Sequence, residues 1–117
     1  MANPNIAAAT SIFGKSENFT LSTLNTIIAS QSLSGRVFKI NTITACNIGP
    51  SAITVTVRAA MPTTLRYIVK EVAVPANTTL VVVSKETSFY LEESCDLYAL
   101  ASANNTCDLT ISYEAIS

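Results

Sequence analysis

The segment YLEESCDLYALAS, Tyr90 to Ser102, places Glu92, Glu93 and Asp96 around Cys95, the densest run of reactive side chains in the sequence. Two chemistries would use such residues. A pair of carboxyls could act as acid and base on a glycosidic bond, and the thiol could act as a nucleophile. The first needs two carboxyls facing each other across a cleft, whereas Glu92 and Glu93 are neighbours and point to opposite faces of an extended chain. The second needs a base or a positive field to lower the thiol pKa, and the acids beside Cys95 would raise it. The chain contains no histidine, so the commonest general base, the commonest metal ligand and the usual Ser-His and Cys-His pairs are missing. The segment therefore reads as structure: Tyr90 and Leu91 close a strand, and Glu92 to Asp96 form a polar turn. Leu97, Ala99 and Ala101 then point inward from the next strand, with Tyr98 on its other face.

The remaining sequence offers no stronger chemistry. Gly14, Gly35 and Gly49 are isolated, so there is no glycine-rich phosphate loop. The aromatic residues are spread along the chain as core fillers would be, and no run of them forms a platform for stacking sugars. No enzyme activity, catalytic residue, cofactor or metal site is expected.

The elements that must carry these residues are strands. From Ile53, ITVTVRAAM alternates strictly, with Ile53, Val55, Val57, Ala59 and Met61 on one face and Thr54, Thr56 and Arg58 on the other. Cys107, Leu109, Ile111 and Tyr113 alternate in the same way with Asp108, Thr110, Ser112 and Glu114. Arg36 to Ile48, Leu65 to Val74 and Thr78 to Lys85 are β-branched runs of strand length, bounded by turn residues such as Gly49-Pro50 and Pro75-Ala76-Asn77. Ser22 to Leu33 shows a weak helical period, but its Thr, Ser and Asn content predicts a strand. About seven or eight short strands predict an all-β fold, an antiparallel β-sandwich, of which the jelly roll is one form. The sequence divides into an uncharged N-terminal arm, residues 1–13, and a single β-domain, residues 14–117.

Composition narrows the function classes. Only 13% of residues are charged against 49% hydrophobic, with a net charge of -1; soluble domains usually carry about 25% charged residues. That balance provides no pull toward nucleic acid or anionic lipid, and no apolar run approaches the roughly 20 residues of a membrane-spanning helix. The N-terminal stretch lacks the basic and apolar regions of a secretory signal. So few repelling charges point to a surface partly covered by a partner, and Ile6, Ile12 and Phe13 of the arm are the candidate interface residues. The three cysteines lack the spacing of a zinc site or disulfide framework. A hairpin turning at Asn104 and Asn105 would set Cys107 opposite Ser102 and Cys95 opposite Glu114, too far apart for a bridge.

Three stretches carry a family resemblance: MANPNIAAATSIFGK at the start, VPANTTLVVVSKETSFYLEE in the middle and ASANNTCDLTISYEAIS at the end. Together they resemble small virion structural proteins of tailed, especially marine, bacteriophages. The chain departs from that pattern at Glu93 to Asp96, where ESCD replaces an expected glycine. The resemblance implies a non-enzymatic β-sandwich on the particle surface, assembled in the host cytoplasm. Its foremost reading is a capsid decoration or cement protein that binds the major capsid protein and forms a homo-oligomer, with a trimer favoured. The alternatives are a neck- or tail-attached structural protein and a receptor- or carbohydrate-binding module of the virion.

Overall fold

The computed structural model describes residues 11–31, 36–60, 64–92 and 94–117. They form the expected two-sheet antiparallel sandwich. The strands are β1 (Ile12–Thr20), β2 (Thr26–Gln31), β3 (Val37–Asn47), β4 (Ile53–Ala60), β5 (Leu65–Val74), β6 (Thr79–Val83), β7 (Phe89–Leu91), β8 (Cys95–Ala101) and β9 (Cys107–Ile116). One sheet runs β1-β9-β3-β6, with β7 also on β3, and the other runs β2-β8-β4-β5. The pairings nest: β1 with β9, β2 with β8, β3 with β6 and β7, and β4 with β5. The chain is thus one long antiparallel ribbon, with its tip between β4 and β5, rolled so that successive pairs fall in alternate sheets. That is jelly-roll connectivity.

The period of two in the sequence becomes the core. Ile53, Val55, Val57 and Ala59 of β4 face Leu109, Ile111 and other residues of β9 and β3 across the interior, and all are buried. The rings of Phe38 and Tyr113 meet at 4.8 Å in a tilted pair. A single buried amide closes one end. Asn47 Nδ2 donates to the carbonyls of Ser51 and Val74, and its Oδ1 accepts from the Gly49 N–H. The Asn47 N–H reaches the Thr78 carbonyl at 2.8 Å. A Cβ on Gly49 would lie 3.2 Å from Thr106, so glycine lets this loop approach the 102–106 connection.

The expected hairpin at Asn104 and Asn105 does not form. β8 belongs to one sheet and β9 to the other, and residues 102–106 cross between them. Asn105, at a left-handed φ of 59°, turns the chain there, and its N–H bonds to the Leu21 carbonyl at 3.1 Å. A local turn signal cannot distinguish a hairpin from a sheet-to-sheet corner, because both need a reversal and a residue tolerant of positive φ. The cysteines stay as thiols for a different reason from the one expected. Cys95 and Cys107 lie in different sheets, and Cys46 projects from the opposite face of its sheet to Cys107.

Ile12 and Phe13, assigned to the arm by sequence, are the first residues of β1, paired with Ile116 and Ala115. Ser11 extends the seam with two backbone bonds to Ser117. The rest of the arm, including Ile6, lies outside the described residues.

Candidate functional site

The carboxylate-rich segment resolves as a turn into β8. Ser94 takes a left-handed φ of 64°, and Cys95 is the first inward residue of β8, buried beneath the sheet. Burial, and then the nearby Glu92 carboxylate, push the Cys95 pKa up, which is the reverse of nucleophile activation. The Asp96 side chain faces outward and accepts a hydrogen bond from Ser30. Glu93 lies outside the described residues. Among the described residues no group of three His, Cys, Asp or Glu side chains could hold a metal ion.

The outer surface has a pattern that the linear sequence concealed. Large hydrophobic residues are exposed at Ile12, Phe13, Leu24, Ile27, Ile48, Leu65, Tyr67, Val81 and Tyr90. All but Ile48 lie on β1, β2, β5, β6 or β7, or in the turn leading into β2. These are the sheet margins. β5 and β6 meet along one side of the sandwich, so the strand orders place β1 and β2 along the other. Ile12 and Phe13, the candidate interface residues, are more than half exposed there, at 56% and 60%.

The four long edge strands differ in chemistry. On β1, Lys15 and Glu17 sit opposite the inward residues Tyr113 and Ile111, and the Tyr113 hydroxyl donates to Glu17 at 3.3 Å. Charges on an edge discourage further pairing. β5 carries Arg66, Lys70 and Glu71, and its register slips twice against β4, with Glu71 at a left-handed φ of 48°. Charges and a bulge protect that edge as well. β2 (TIIASQ) and β6 (TLVVV) carry no charge and no proline.

One outer face also holds a side-chain row. Cross-strand register sets Arg58 of β4 between Tyr67 of β5 and Tyr98 of β8, with Ile27 of β2 next to Tyr98. Beside it is a cleft of about 260 Å³ lined by Thr56, Arg58, Tyr67, Lys70, Glu71 and Leu100. No aromatic platform is legible in the linear sequence, because Tyr67, Arg58 and Tyr98 are apart in the chain and become neighbours only through sheet register. The other sheet's outer face is hydroxyl-rich, and its shallow cleft is lined by Asn18, Phe19, Thr20, Asp108 and Thr110. There Thr110 donates to Asn18 at 2.9 Å.

No protein-family model matches the chain, and no curated protein sequence matches it. Its fold is nevertheless shared with assembly proteins. It is similar to a chain of the Bacillus endospore appendages, a family of disulfide-linked pili, with a TM-score of 0.57 and 12% identity over 97% of this chain and 93% of that one. It is also similar to a chain of the T13 viral particle of IBDV, with a TM-score of 0.54 and 9% identity, covering 91% of this chain but only 30% of that one. The chain is therefore similar in structure to viral-capsid and pilus proteins of β-sandwich fold. Neither of these is a bacteriophage decoration protein, so the likeness supports the broader class and not that narrower family.

Proposed function

We propose that this chain is a non-enzymatic structural subunit that assembles with copies of itself through its uncharged sheet edges. The observation that carries the reading is the contrast among edges: β1 and β5 are protected, whereas β2 and β6 are bare and lie on opposite sides of the sandwich. An uncharged hydrophobic edge with unpaired N–H and C=O groups is a template for another strand. β6 of one copy meeting β2 of the next would join the β6-containing sheet of one copy to the β2-containing sheet of its neighbour. Such a contact is heterologous, and it closes into a ring or continues as a filament according to the rotation between copies. Val81 of β6 and Ile27 of β2, exposed on those two edges, would be buried by the same contact.

Within that class the finer reading is a decoration protein of a phage head, docked on the major capsid protein and clustered as a trimer. It is supported by the sequence resemblance and the charge-poor surface. The whole-length fold likeness to a pilus chain supports a filament as the second reading. Light scattering and negative-stain microscopy of the purified chain separate these outcomes. Small closed oligomers favour the decoration reading, whereas growing fibres favour the filament. A monomer at high concentration would overturn self-assembly.

A further inference from the structure

The geometry points to a binding site for a carboxylated sugar in the cleft between β4 and β5, an inference independent of the assembly reading. Arg58 is its centre. The guanidinium Nε is buried and has no hydrogen-bond partner within the protein, which leaves one N–H of a charged group unsatisfied, and buried donors of this kind are rare without a partner. Its cross-strand neighbours Tyr67 and Tyr98 flank it in the row.

A second cation stands beside the first. Lys70 Nζ lies 5.0 Å from the centroid of the Tyr67 ring, a cation–π distance that holds the ammonium at the rim of the cleft. Glu71 is the one acid in the lining. Its backbone N–H donates to Thr56 Oγ1 at 3.0 Å, and among the described residues no carboxylate forms an ion pair with Arg58 or Lys70. Two cations against one unpaired acid leave the cleft net positive, which favours an anion, and arginine binds a planar carboxylate through two parallel hydrogen bonds.

The rest of the lining selects what carries the carboxylate. Leu100 supplies an apolar surface, Tyr67 an exposed ring, and Thr56 a hydroxyl whose proton is still available to donate. A pyranose ring has the matching character, with an apolar C–H face and hydroxyls at its edge. The cleft, about 260 Å³, is smaller than the roughly 300 to 1,000 Å³ of enclosed drug-sized sites. It therefore fits one ring and leaves the remainder of a glycan in solvent.

Saturation-transfer NMR on the whole protein tests this, because it reads the ligand and tolerates an assembled state. The probes are methyl glucuronide, methyl glucoside and acetate, each at matched concentration. The glucuronide should bind at least about tenfold more tightly than the neutral glucoside or acetate, the effect expected from a charge-assisted hydrogen bond made together with ring contact. Lys70→Gln and Arg58→Gln should each weaken it by about tenfold or more, with Lys70→Gln as the variant least able to disturb the fold. An oligosaccharide ending in glucuronate, compared with free glucuronate, distinguishes a glycan terminus from a free sugar acid. Equal binding of all three probes, glucuronide binding unchanged in both variants, or no saturation transfer to the glucuronide would each overturn the site.

Discussion

β1 and β6 bound the same sheet from opposite sides, yet their chemistry is opposed. β1 is nine residues long and carries exposed Lys15 and Glu17 in register with Tyr113 and Ile111, where an added strand would have to cover them. β6 is five residues long, has no charge, and exposes Val81 at 58%. The difference teaches that, among the described residues, the two margins of one sheet would not accept a further strand equally readily, and the same contrast recurs in the second sheet between β5 and β2.

The strongest way to break this comparison is to remove the sheet on which both edges depend. β9 supports β1 directly and β3 supports β6, and Ile111 of β9 is fully buried against β3. Ile111→Asp should cost about 4 kcal/mol or more by burying a charge in the core, abolishing soluble expression. Val55→Asp should do the same from the other sheet. Wild-type melting of both variants would refute the assigned core.

The next effect is more local. Asn47→Ala leaves the Val74 and Ser51 carbonyls and the Gly49 N–H without their partner, beside the start of β6. A loss of about 2 to 4 kcal/mol is expected in urea titration, from groups stranded away from water. Unaltered stability would show that water replaces the amide there.

The comparison itself is sharpened by moving charge between edges. Val81→Lys on β6 and Ile27→Lys on β2 should each reduce self-association by about tenfold or more while leaving the melting temperature nearly unchanged. Replacing Lys15 and Glu17 with Thr should increase it. Sedimentation over a concentration series reads both directions. If Lys on β1 and Lys on β6 behaved alike, the distinction between the edges would lose its meaning.

The smallest effect is chemical. Burial, with a further contribution from Asp108, pushes the Cys107 pKa from 9.0 to about 11. The folded state therefore favours the neutral thiol. Its contribution to stability is fully present below pH 9 and declines as pH rises toward 11. Cys107→Ala should flatten that part of a stability-against-pH curve. In native alkylation at pH 8, partly buried Cys46 should react before buried Cys95 and Cys107. Equal rates for all three would contradict the placement of Cys95 and Cys107 in the interior.

Much of the fold was legible from local pattern. The alternation in ITVTVRAAM and CDLTISYEAI places Val55, Val57, Leu109, Ile111 and Tyr113 inward, and they are buried. The weakly helical Ser22 to Leu33 contains β2, as its Thr and Ser content predicts. At Asn104 and Asn105 the local turn signal does not give a hairpin, because β8 and β9 are sequence neighbours but not sheet neighbours. Each of β8 and β9 instead satisfies its backbone with strands remote in sequence: β8 with β2 and β4, β9 with β1 and β3. The row Tyr67, Arg58 and Tyr98 was illegible for the same reason.

By itself the sequence determined which residues point inward, because side-chain direction in a strand follows from a period of two that any extended chain must obey. It also determined how few charges were available to protect the surface. Only the tertiary structure decided which strands became edges, which edges received those charges, and which distant side chains share the cleft at Arg58. Edge and neighbour are properties of long-range pairing, and the hydrogen bonds of a ladder form between backbone groups that are the same in every residue but proline. The sequence encodes the faces of a strand locally, but it encodes the partner only through the packing of the whole sandwich.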